Sequence, residues 1–229
     1  MSIAGFIDER LDAIRFFYTT AAAPFVENIR RIDAGEEPFD VPPPEFNPED
    51  GEPPFLAEWQ RNSDGLTVLG HAGIAMLQVT LQLYLRRYRE EIDHIHGKQQ
   101  WSPRKSFLRG ENWFSRERAC FQTVLGIDWD EHGPEHIAVL EQIALARDDI
   151  FHHSDIWGVQ VYQSPQHFER YKESYFADER YLPHFRATGE VFPGRTWAID
   201  VTPQRMNDAV DRVESFCEFM DSKWMSWGR

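Results

Sequence analysis

The sequence predicts an all-α protein, a bundle of about five helices with one irregular insertion before the last. Apolar residues recur in steps of 4, 3, 4, 3, 4, the spacing of one helix face, in both the first and last stretches. Prolines stand where two stretches open, after Gly133 and after Thr202, and a proline suits the first helical turn. The chain has no repeat and no alternation of strand-like with helix-like segments.

The first helix carries Ile7, Leu11, Ile14, Tyr18, Ala21 and Phe25 on one stripe, with a bend expected at Pro24. The second, residues 64–96, lines up Leu66, Leu69, Gly73, Met76, Thr80 and Tyr84, and Leu77, Leu81 and Leu85 widen that stripe. Residues 104–125 form a third helix. A fourth opens at Gly133-Pro134 and carries Ile137, Leu140, Ile143 and Ala144. Residues 158–200 are aromatic and irregular, with a short hairpin expected over 190–199. The last helix starts at Pro203 and presents Met206, Val210, Val213, Cys217, Met220 and Trp224.

A length of 229 residues fits a single domain. Its formal net charge of −14 repels phosphate on average, so any contact with nucleic acid needs a local basic patch. Much of that charge sits in residues 27–58, which read as an acidic, proline-rich strap of polyproline character. Phe39, Phe46 and Phe55 are placed to pin it to a neighbouring surface. Two cysteines, Cys120 and Cys217, are too few for a disulfide-built fold or a four-cysteine zinc site. A reducing, cytoplasmic location is the expectation, because Asp8, Glu9, Arg10 and Asp12 interrupt any apolar leader. Residues 65–85 lack Asp, Glu, Lys and Arg and are long enough to span a bilayer. They also hold His71, Gln78 and Gln82, which lipid disfavours, so a central bundle helix is expected and no membrane partner.

No glycine-rich phosphate loop and no Gly-x-Ser-x-Gly elbow occurs. The histidines invite a metal reading, and with it a helical metal-dependent hydrolase. His132 and His136 have the i, i+4 spacing of helix-borne ligands, but Gly133-Pro134 separates them. No metal and no cofactor are expected.

Residues 145–155 (LARDDIFHHSD) carry the strongest chemical signal. Arg147 and His152 lie five apart, a spacing that Arg89 and His94 also show, so context must separate the pairs. Arg147 continues the stripe of Leu140 and Ala144, which aims a guanidinium at the packed face or a cleft. Asp148 and His152 are i, i+4 neighbours, so the carboxylate is placed to orient the imidazole. Arg89 belongs instead to an exposed charge run, RRYREEID.

The run Arg147-Asp148-Asp149-Ile150-Phe151-His152-His153 resembles the signature of the higher eukaryote and prokaryote nucleotide-binding (HEPN) superfamily. The order of helices is similar too, over roughly residues 66–155 and 202–224. Asp148 stands where that family often has Asn, and the insertion 158–200 is long. The resemblance implies a homodimer that brings two copies of Arg147 and His152 together, and a metal-independent endoribonuclease with RNA as substrate. Arg147 and His152 would be catalytic and Asp148 orienting, with His153 beside them as a substrate contact. Many members of the superfamily are instead inactive binding or assembly modules. The alternative expectation is therefore a non-catalytic dimerisation module in a defence or toxin–antitoxin setting, with a neutralising partner protein.

A positive track for RNA is expected over 98–118. There Lys98, Arg104, Lys105, Arg109, Arg116 and Arg118 outnumber Glu111 and Glu117, with Trp101, Phe107, Trp113 and Phe114 interleaved. The same aromatics suit an ordinary amphipathic helix with its rings in the core. Dimerisation is expected through the signature helix and the long second helix, whose two stripes exceed one intramolecular core.

Overall fold

The computed structural model describes residues 3–44, 46, 47, 49, 51–101, 112–152, 158–191 and 196–227. Five long helices form at the stretches the periodicity marks: α1 (Ile3–Ala34), α2 (Leu56–His96), α3 (Trp113–Leu125), α4 (Pro134–Phe151) and, last, α7 (Pro203–Trp227). α2 starts before the expected residue 64, and α3 starts later than the expected 104, because Asn112 in extended conformation caps it and accepts from Ser115 N–H. Two short helices, α5 (Pro165–Arg170) and α6 (Leu182–Thr188), lie inside the insertion. Among the described residues the protein is all-helical, and its extended pairing is one isolated antiparallel bridge between Tyr162 and Ala198. The described end of the segment expected as a hairpin therefore pairs with residues outside it. Gln163 N–H donates to the Trp197 carbonyl and Ile199 N–H to that of Val161, which staples the two ends of the insertion together.

The strap is shorter than expected, because helix claims both of its ends. α1 runs unbroken through Pro24 to Ala34, and α2 begins at Leu56. Arg30 ties the turn by pairing with Glu27 and Glu36, and Trp59 Nε1 donates to Asp33 at 3.1 Å. Phe39 and Phe55 pack edge to face on each other at 5.1 Å.

α2 is the central helix. α1 lies antiparallel on it, with Phe25 beside Gly65, Tyr18 beside Gly73 and Arg10 bonded to Thr80. α4 and α7 cover its other flank, so Leu77, Leu81 and Leu85 are fully buried. By composition α2 is long and apolar enough to cross a bilayer; here its leucine stripe faces protein. Close approach at Gly70 is what admits the start of α7, since a Cβ there would stand 2.6 Å from Val201 Cβ. Three tyrosines then tie α1 and α2 to backbone carbonyls of α7 and of Val201 just before it. Tyr18 donates to Val201 O, Tyr84 to Cys217 O and to Asp221, and Tyr88 to Met220 O. Burial pushes the Tyr18 phenol up to about 12, so it stays protonated and donating.

A second cluster of rings seals the other end. Trp129, from the 3₁₀ turn before α4, is fully buried with Phe114 and Phe216 at 5.0 Å and Phe121 at 5.6 Å. His132 ends that turn, packed on Phe219 and on His136, each at 5.0 Å. Burial, reinforced by His136, lowers the His132 pKa. The folded protein therefore resists protonating His132 while the unfolded chain accepts the proton below about pH 6.5. Stability from this group is present above that pH and lost as pH falls below it. His132→Gln is expected to flatten the fall in melting temperature between about pH 6.5 and pH 5, seen by calorimetry of both proteins across that window.

Candidate functional site

The C-terminal half of α4 carries the candidate residues Arg147, Asp148 and His152. Its helix begins at Pro134, buries Ile137, Leu140, Ile143 and Ala144 against α2 and α7, and ends at Phe151. His152 is the capping residue, exposed, with its N–H donating to Asp148 O at 3.0 Å. Asp148, Asp149 and His152 line a cleft of about 430 Å³ with Leu145, Asn112, Ser164, Gln166 and Arg170. The insertion thus forms one wall of the cleft, and α4 with the start of α3 the other.

Arg147, one residue outside that lining, is only partly exposed. Its Nη1 pairs with Asp148 Oδ1 at 2.9 Å, its guanidinium lies 4.2 Å over the Phe151 ring, and its Nε is buried without a hydrogen-bond partner. The Asp148 carboxylate is thus taken by Arg147. The contact expected with the His152 imidazole is not formed among the described residues, because a neighbouring cation draws the carboxylate across the helix surface.

Polar groups on α4 hold the insertion in place. Glu141 is buried and accepts from four donors: Asn112 Nδ2 and Ser115 Oγ at 2.6 Å, Tyr171 OH at 2.6 Å and Arg170 Nη2 at 2.8 Å. Burial and the Glu141 carboxylate push the Tyr171 phenol up, so it serves as a donor. Gln142 accepts from Tyr175 N–H at 2.8 Å. Asp149 meets Nδ1 of the fully buried His167 at 2.7 Å, and His167 Nε2 is buried without a partner. A buried carboxylate tolerates its desolvation only when its lone pairs are filled this way.

Of the expected substrate contacts, Arg116 is exposed on α3 outside the cleft. Arg104, Lys105, Arg109 and His153 lie outside the described residues. The aromatic track is altered at Phe114, which is buried under Trp129 and unavailable for base stacking. Trp101 is half-buried, donates to Asp93 at 2.8 Å and is stacked by Arg89. Among the described residues no group of three or more His, Cys, Asp or Glu is arranged to hold a metal ion. Arg212 occupies Nδ1 of His136 at 3.2 Å.

The cleft includes residues that the sequence pattern did not point to, Asn112, Ser164, Gln166 and Arg170, and Glu141 anchors two of them from behind. A signal existed for the insertion's part. Ser164-Pro165 is an N-cap followed by a proline, the same start signal used for the last helix, and Ser164 Oγ accepts from His167 N–H. Comparison with protein-family models, with curated proteins and with solved structures gave no match.

Proposed function

We propose that the protein is a metal-independent endoribonuclease of the HEPN type that acts as a homodimer, with His152 and Arg147 at its site. The observation that carries this proposal is the exposed imidazole of His152 opening on a cleft at the end of α4, with a guanidinium one and a half turns away on the same helix end. RNA supplies its own nucleophile. One histidine takes the proton of the 2′-OH as its oxygen attacks phosphorus, and the histidine of the second copy returns a proton to the departing 5′-oxygen. The products are a 2′,3′-cyclic phosphate and a 5′-hydroxyl. Arg147, turned from Asp148 to the phosphorane, stabilises the charge that grows on the equatorial oxygens. The exposed Phe151 beside Arg147, and Val68 and Val79 on the free face of α2, supply apolar surface for the second copy.

A second reading, a non-catalytic dimerisation module with a neutralising partner, is favoured by one specific feature. Arg147 is held by Asp148 and Phe151 in the single chain, so catalysis requires that contact to open. Chelator separates the enzyme from metal-dependent hydrolysis. RNA cleavage in excess chelator is expected to match the rate without it, whereas loss with chelator and rescue by zinc or manganese would assign the chemistry to a metal.

A further inference from the structure

We propose that Arg170, from the insertion, is the guanidinium that holds the scissile phosphodiester in the His152 cleft; this rests on the ribonuclease reading and adds a residue to it. Arg147 does not line that cleft, and its guanidinium is engaged with Asp148 and Phe151. Arg170 does line it, with a half-exposed side chain. Its Nη2 meets Glu141 Oε1 at 2.8 Å and Ser115 Oγ at 3.2 Å, and the guanidinium also contacts the Tyr171 hydroxyl. A guanidinium carries five N–H donors, so these contacts leave donors over for a ligand, and its fork matches two phosphate oxygens.

The surrounding carboxylates position this fork without cancelling it. Glu141 divides its charge among four donors, which fixes the root of the guanidinium from behind. Asp149 is turned to His167 and Asp148 to Arg147. Asn112, Ser164 and Gln166 border the same cleft and offer neutral hydrogen-bonding groups to a sugar–phosphate chain. The division of labour is then spatial. Arg170 binds the phosphodiester in the ground state, and Arg147 acts on the charge of the transition state. Under that division, variation at Arg170 moves KM and variation at Arg147 moves kcat.

The test is binding of a fully 2′-O-methylated single-stranded oligoribonucleotide, which lacks the nucleophile, measured by calorimetry in chelator. The parent is expected to bind, and Arg170→Gln to bind roughly tenfold more weakly or worse, the scale of a charge-assisted bond. Arg170→Lys retains a cation for Glu141, so it is expected to melt like the parent while still losing affinity with the fork. Arg186→Gln, an exposed arginine on α6 outside the cleft, is expected to bind as the parent does. Parent-like affinity in both Arg170 variants overturns the assignment, as does a parent that binds no oligonucleotide. The two proposals fail separately. A parent that binds through Arg170 but cuts no RNA removes the ribonuclease and leaves the subsite. A parent that cuts RNA with KM unchanged in both Arg170 variants removes the subsite and leaves the ribonuclease.

Discussion

His152→Ala is expected to lower RNA cleavage by about 10²–10⁴, the usual contribution of a positioned general acid or base. Arg147→Ala is expected to cost about a hundredfold or more, the scale of losing one preorganised donor to the transition state. Both variants should melt close to the parent. His152 is exposed at the helix cap, and Arg147 pairs with an adjacent, partly exposed carboxylate, an arrangement worth at most about 1 kcal/mol. Asp148→Asn should change the rate less. It removes the charge that holds Arg147 in the single chain, so a gain in activity is within the expected range. Cleavage rates and melting curves on the same preparations check all three. Parent-like cleavage in well-folded His152→Ala and Arg147→Ala would place any activity elsewhere in the molecule.

The largest expected effect on stability belongs to Glu141. Glu141→Ala strands Asn112, Ser115, Tyr171 and Arg170 at once. Breaking a fully buried pair costs about 3–5 kcal/mol. Arg170 is half exposed and regains water, so about 2–3 kcal/mol is expected here, with much of it from the buried phenol and amide. Glu141→Gln keeps the shape and two of the acceptor positions and should lose less. Because these bonds also fasten the insertion to α4, Glu141→Ala should expose residues 158–200 to limited proteolysis before the bundle itself unfolds. Denaturant titration and a proteolysis time course read the two effects separately, and unchanged values for both would show that the network is not what holds the insertion.

The long helices were legible because burial of one face imposes its period on the sequence. The stripes Ile7–Phe25 and Met206–Trp224, and the prolines at 134 and 203, mark helices that the structure contains. What escaped was polar and non-local. Glu141 sits between Leu140 and Gln142 on a mostly apolar helix, and only the fold shows that Asn112, Arg170 and Tyr171 converge on it from two other segments. Trp129 was invisible as a core residue because a four-residue turn has no period to read. The insertion looked irregular because its two helices are too short to show a stripe, although Ser164-Pro165 announced the first. At the candidate site, the sequence named Asp148 and His152, which line one cleft, but assigned the Asp148 carboxylate to the imidazole. Spacing along a helix lists neighbours; it does not decide which of them wins the carboxylate, and Arg147 does so here.

The most direct test of the central claim is end-group analysis of single-stranded RNA incubated with the purified protein in chelator. The account predicts fragments ending in 2′,3′-cyclic phosphate with 5′-hydroxyl partners, formed by the parent and absent with His152→Ala. Intact RNA with the parent at equimolar enzyme, or the same fragments from His152→Ala, would contradict it.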